Sequence, residues 1–244
     1  MSRLNRHPFP VVAFLEKSLV LGFAVPKSEV AHLIPDCLEL DLFKNEWAFL
    51  AAAIVKTSKL RPKGFPKFLG RDFLLIGYRV FVRYRGADNR RLRGLYILGS
   101  ETDKAGMQRL GSLFTQYRYR VLPIQWTSED DRDKITTSAG LRVLSSRGDD
   151  SQALPEGSPF SDWREARRFC GPMPFTFSYD QTKRDVIIVE GVREIWKPTA
   201  VSVEEHHIPF LDSLQLDGLV LANAFFVENV PYEWKRGRIE KWKS

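Results

Sequence analysis

The sequence predicts a β-rich α+β fold: a closed or cone-shaped antiparallel sheet accompanied by a few short helices. Three observations carry this expectation. Roughly ten segments alternate or run apolar over strand lengths, whereas only three or four short stretches show helical spacing. Residues 74–84 alternate with period two, placing Leu74, Ile76, Tyr78, Val80, Val82 and Tyr84 on one face. Gly77, Arg79, Phe81 and Arg83 fall on the other. Turn residues then punctuate the chain at hairpin spacing, as in Gly86-Ala87-Asp88-Asn89.

Taken in order, His7-Pro8-Phe9-Pro10 is a stiff extended approach, since each proline fixes its own φ and biases its predecessor. Residues 14–25 alternate through Leu19, Leu21 and Phe23 as a strand. A short helix at 29–34 follows, with Ser28 as its N-cap. Leu38, Leu40 and Leu42 alternate, 44–46 turns, and 47–55 is continuously apolar and hence a buried strand. The basic, Pro/Gly-rich stretch 56–70 reads as a loop that either folds over an opening, burying Phe65 or Phe68, or lies solvated on the surface.

The strand 74–84 returns as a hairpin through 92–98. Ser100 and Asp103 resemble a capping box, and Met107, Leu110, Leu113, Phe114 and Tyr117 give a helix over 101–117. Strands are expected at 117–126, 135–144, 175–179, 186–192, 195–197 and 219–230. A charged turn is expected at 128–134, a helix at 162–169, and 210–216 is helical or irregular. Residues 145–161 form a polar surface insertion or loop within a single domain spanning 1–244.

Composition bounds the function classes. At 244 residues the chain buries a substantial core, and its 43% hydrophobic and 27% charged residues are ordinary for a globular protein. No apolar run reaches the roughly 20 residues of a membrane span. The apolar stretch near the start is broken by Glu16 and Lys17, so it does not read as a signal peptide, and a cytoplasmic location is expected. The net charge of +7 is dispersed and no nucleic-acid module accompanies it. The expected partner is therefore a small molecule, with self-association left open and neither nucleic acid nor membrane involved. Cys37 and Cys170 form neither a zinc spacing nor a disulfide framework. Glu204-Glu205-His206-His207 alternate in direction on an extended chain and do not chelate together, so no metal is expected. Glycine-rich phosphate loops and GxSxG elbows are absent; no cofactor is expected.

The order of these features resembles the YqjF-like family of uncharacterised proteins within the acetoacetate decarboxylase superfamily. The likeness rests on His7-Pro8-Phe9-Pro10, Val25-Pro26, Leu33-Ile34-Pro35 followed by Leu38-Glu39-Leu40-Asp41, and Trp47. Gly64-Phe65-Pro66 and Gly77-Tyr78-Arg79-Val80-Phe81-Val82 extend it. It implies an antiparallel β-cone or barrel around a small-molecule cavity. Decarboxylases of that superfamily use a Schiff-base lysine in a Gly-aromatic-Pro-Lys-Lys run. The corresponding run here resembles Gly106-Met107-Gln108-Arg109-Leu110, with Arg109 in the lysine's place and Leu75 where many relatives carry an acid. A guanidinium stays protonated and cannot attack a carbonyl, so that mechanism does not carry over.

The candidate ligand-binding residues are Arg79, Glu101, Arg109, Phe81 and Tyr96, with Trp47 and Phe114 as further lining. Arg79 sits in mid-strand, where a charge is costly without a partner; it either binds an anionic ligand or pairs with Glu101. Lys104 is the one lysine placed for an imine, or else an exposed residue of the helix's first turn. Three functions follow: binding of a small anionic or carbonyl-containing ligand, a lyase acting through Lys104, or a structural protein with a filled barrel.

Overall fold

The computed structural model describes residues 5–242, so the first four residues of the basic N-terminal stretch lie outside it. The first half of the chain builds β1 (Val11–Pro26), α1 (Lys27–Val30), β2 (Glu39–Leu40), β3 (Trp47–Pro62), β4 (Arg71–Arg85), β5 (Arg91–Thr102) and α2 (Ala105–Phe114). β6 (Tyr119–Val121) pairs parallel with β5, and a meander follows, made of β7 (Ile124–Glu129), β8 (Arg132–Thr137) and β9 (Arg142–Arg147). The remainder comprises α3 (Trp163–Cys170), β10 (Phe175–Asp180), β11 (Asp185–Arg193), β12 (Thr199–His207), α4 (Pro209–Asp212), β13 (Val220–Trp234) and β14 (Arg238–Lys241).

The strands close into a barrel. β13 pairs with β1, β1 with β3, β3 with β4 and β4 with β5, all antiparallel. β5 meets β10 in a short parallel joint, β10 pairs antiparallel with β11, and Gly191 to Arg193 of β11 return to Trp234 to Tyr232 of β13. A second sheet, β12-β9-β8-β7, branches from β13 where Thr199 and Ala200 face Phe226 and Phe225. The fold is thus the β-rich barrel or cone expected from the sequence. Among the described residues no helix is long and apolar enough to cross a membrane.

The alternation of β4 explains both layers. Ile76, Tyr78, Val80, Val82 and Tyr84 turn outward into a core shared with Leu19, Leu21, Ile54, Ile135, Val143 and Leu211, so the second sheet and α4 cover that face. Gly77, Arg79 and Phe81 turn inward. One end of the interior is filled by aromatic rings: Phe49 stacks on Phe160 at 5.2 Å, and Phe43, Phe81 and Phe169 close around them. The other end is hollow.

Several local expectations change. β3 runs on to Pro62, because Thr57 and Ser58 are buried and the strand stays paired with β1 despite its basic residues. Only residues 63–70 form the connection, and Phe65 and Phe68 are 55% and 84% exposed. Ser100 lies inside β5, and α2 begins at Ala105 without a side-chain cap. Asp103 instead accepts a hydrogen bond from the Leu74 N–H at 2.8 Å, tying β4 to β5. The first helix starts at Lys27, directly after Pro26, so Ser28 is within it and is not its cap.

The expected strand 117–126 breaks at Pro123, and the 135–144 stretch is a hairpin turning at Gly140, whose φ of +94° suits glycine. Residues 195–197 are not a strand: Pro198, lacking an N–H, precedes the strand that forms at β12. Within 145–161, Ser145 to Arg147 complete β9. The rest is anchored: the Trp163 indole donates to Gln152 O and the Ser158 hydroxyl to Ala222 O, both at 2.8 Å.

Candidate functional site

The hollow end of the barrel is a cavity of about 540 Å³ with a mainly apolar wall. All seven barrel strands contribute to it. β4 supplies Gly77, Arg79 and Phe81, β5 supplies Leu95 and Ile97, and β11 and β13 supply Arg193 and Tyr232. A bulge in β5 decides which residues face inward. Tyr78 pairs with Gly99 but Arg79 pairs with Ile97, so Leu98 is an extra residue and the alternation changes phase there. Ser100, Ile97 and Leu95 point in, while Tyr96 joins the outer core.

Arg79 is the centre of the site. It reaches back along β4 over Gly77: a Cβ on that glycine would stand 3.0 Å from Arg79 Nε and 3.1 Å from Nη2. The side chain is half-buried and lines the cavity, and its Nε is buried with no hydrogen-bond partner. No carboxylate pairs with it among the described residues, and no Asp or Glu lines the cavity. Burial draws it below the ordinary arginine range, with Tyr232, Tyr117 and Tyr119 acting in the opposite sense. It remains cationic at neutral pH.

A second guanidinium, Arg193, donates to the Tyr232 hydroxyl at 3.2 Å and to Met173 O at 3.1 Å, with Trp196 beside it. Gly191 makes room for that arrangement, since a Cβ there would collide with the Tyr232 hydroxyl. Tyr117 and Tyr119 come from the chain leaving α2, whose Gly111 lets the helix lie close on the Tyr119 ring. Burial lifts both phenols above their usual range, Tyr119 to about 12, so both keep their protons as donors. Tyr117 Oη is 2.9 Å from Nε2 of His7, and burial lowers His7 to about 4, leaving the ring neutral. Cys170 also lines the cavity, but burial pushes its thiol up to about 12 and it accepts from Asn223 at 3.1 Å, so it is no thiolate nucleophile.

Of the residues singled out from sequence, Arg79, Phe81 and Phe114 line the cavity. Glu101, Tyr96, Arg109, Lys104 and Trp47 do not. Glu101 is buried on the outer face, accepting from the Tyr78 hydroxyl at 2.9 Å, so it is not Arg79's partner. Arg109 is on the exposed side of α2, and Lys104 is exposed and pairs with Asp103 at 3.3 Å. Trp47 packs against the aromatic end. His206 and His207 diverge, one ring against Phe23 and the other 3.3 Å from Asp212. Arg193, His7 and the tyrosines were missed. The available signals are Arg193 three residues before Trp196, and the Tyr117, Tyr119 repeat.

A family model described as DUF2071, uncharacterized conserved protein (COG2071), matches residues 13–217. No curated protein matches the chain by sequence. Among solved structures, the acetoacetate decarboxylase of Legionella pneumophila superposes with a TM-score of 0.60 at 12% identity, covering 98% of this chain and 91% of that one. An acetoacetate decarboxylase-like enzyme from Sphingomonas wittichii gives 0.60 at 10% identity, with 97% and 94% covered. The enduracididine biosynthesis enzyme MppR, in complex with pyruvate, gives 0.58 at 10% identity, with 95% and 90% covered. At these identities the likeness is one of fold.

Proposed function

The chain belongs to the DUF2071 family of uncharacterized conserved proteins, and within that fold we propose that it binds a small organic anion, a carboxylate with an apolar body, inside its barrel. The observation that carries this reading is Arg79: a half-buried guanidinium with a buried, unpaired Nε, lining a cavity in which no carboxylate stands among the described residues. A partly desolvated cation without a counter-charge is unfavourable to the fold, so the charge serves a partner that arrives from outside. Arg79 and Arg193 supply the charge, and the protonated hydroxyls of Tyr117 and Tyr119 supply neutral donors. A carboxylate accepts from guanidinium and phenol together, while Phe81, Leu95 and Ile97 cover its hydrocarbon part. That MppR is known in complex with pyruvate is consistent with a small carboxylate in this fold.

No lysine lines the cavity among the described residues, so an imine route has no nucleophile there. The test is a thermal-shift and calorimetric series of short aliphatic and aromatic carboxylates, each beside its neutral amide. Carboxylates are expected to raise the thermal midpoint and amides to leave it unchanged. Equal responses to both, or carboxylate binding that survives Arg79→Met, would sink the reading.

A further inference from the structure

We propose that the rim of the barrel mouth docks on an anionic lipid surface. Phe65, Phe68, Leu69, Leu110 and Leu113 are five of the eight large hydrophobic side chains that stand exposed among the described residues. Phe68, at 84%, is the most exposed of them. They share one rim: Phe65, Leu69 and Leu110 are exposed members of the cavity wall, as is Arg71. A Cβ on Gly106 of α2 would stand 2.9 Å from Arg71 Nη1, so α2 adjoins the start of β4. A gathering of exposed rings and leucines at one place marks an interaction site.

The charge around it chooses the partner. Residues 56–71 carry Lys56, Lys59, Arg61, Lys63, Lys67 and Arg71 and no Asp or Glu, and α2 and its cap add Lys104 and Arg109. Lys56, Lys63 and Lys104 have carboxylate partners, but Lys59, Lys67, Arg71 and Arg109 form no ion pair among the described residues. A second copy of this chain would bring the same cations face to face. Anionic headgroups complement the cations, and the acyl boundary beneath them receives the Phe and Leu side chains.

The apolar tip is also preformed. Pro62 and Pro66 fix its ends, Arg61 Nε donates to Phe65 O at 3.0 Å, and Gly70 N donates to Lys67 O at 3.1 Å. Little ordering is therefore left to the docking step. The lack of an apolar run of spanning length bears only on spanning segments; a peripheral contact of this kind depends on exposure that only the folded chain reveals. Docked this way, the cavity opens onto the bilayer, giving an amphiphilic anion a path to Arg79. That last step rests on the ligand reading above, whereas the docking itself does not.

The test is flotation of the full chain with phosphatidylcholine vesicles, with and without about one-third phosphatidylglycerol, at low and high salt. Binding is expected only to the anionic vesicles and is expected to be released by salt. Phe68→Ser and Lys67→Glu, both on exposed positions, should each weaken it, with about a fivefold loss per surface cation removed. Both variants should still bind carboxylates, which separates this proposal from the ligand reading. Absence of binding, equal binding to neutral vesicles, or a concentration-dependent dimer that Phe68→Ser dissolves would overturn it.

Discussion

The guanidinium of Arg79 occupies the space that a side chain on Gly77 would fill, two residues back along the same strand. Room and charge are thus arranged together, and both can be tested. Gly77→Val should displace Arg79 and weaken carboxylate binding about tenfold or more while the charge is still present. Arg79→Met should abolish binding yet stabilise the unliganded protein by about 1 kcal/mol, because it removes a partly buried charge that has no partner. Calorimetry and urea denaturation read the two effects separately. A destabilised Arg79→Met protein would mean that the arginine is structural.

His7 predicts a pH dependence of stability. Unfolded, its ring titrates near the ordinary 6.5; folded, burial lowers it to about 4. Between these values the unfolded chain binds more protons, so stability falls as pH drops from about 6.5 toward 4 and is fully kept above 6.5. The loss approaches about 3 kcal/mol. Denaturation midpoints across pH 4–8 should show this slope, and His7→Gln, which can still meet the Tyr117 hydroxyl, should flatten it.

Some of this architecture is legible in the sequence and some is not, for physical reasons. The alternation of β4 identifies two faces and singles out Arg79 as a charge on the mixed one. Alternation does not say which face is inside. Here the more apolar face turns outward, because a second sheet formed by strands between residues 124 and 207 covers it. The Leu98 bulge was invisible: one extra residue leaves composition and propensity unchanged but turns Tyr96 outward. Residues 56–62 read as loop because the stretch is basic and proline-bearing, yet pairing with β1 overrides local preference. Arg193, Tyr232 and His7 line the same cavity as Arg79 from elements far apart in the chain, and no local pattern announces such a meeting.

Tyr78 and Glu101 give a control on the outer face. Tyr78 stacks on Phe210 with ring centroids 4.0 Å apart and donates to the buried Glu101. Tyr78→Phe leaves that carboxylate without its donor and should cost about 1–3 kcal/mol. Carboxylate affinity should not change, because neither residue reaches the cavity. A matching loss of affinity would place Glu101 in the ligand's environment after all.

Lys104 supplies a chemical control. It is exposed, pairs with Asp103 and does not line the cavity. Borohydride treatment in the presence of pyruvate or a β-keto acid should therefore leave the intact mass unchanged, and Lys104→Ala should leave ligand affinity within about twofold. An adduct mapped to Lys104 would reverse this conclusion and restore imine chemistry.

The opposite case to Arg79 is the cluster around Asp41. That carboxylate is fully buried between β2 and β3; one oxygen accepts from Arg83 Nε at 2.6 Å and the other from Arg93 Nε. Arg93 also donates to Phe169 O at 2.6 Å and lies over the Phe169 ring, so it holds the end of α3 against the aromatic filling of the barrel. Asp41→Ala leaves two guanidinium groups facing each other without their counter-charge. Both arginines retain partial contact with water, which moderates the penalty, so the expected loss is about 3 kcal/mol, the low end for breaking a buried pair. Asp41→Asn, with one acceptor oxygen left, should lose less. Because Phe169 neighbours Phe81, ligand affinity should fall too, as the floor loosens. Two arginine sites in one barrel should thus respond with opposite signs: neutralising the unpaired Arg79 raises unliganded stability, and neutralising the partner of Arg83 and Arg93 lowers it. Equal signs in the same urea series would remove the distinction between a charge held for the fold and a charge held for a ligand.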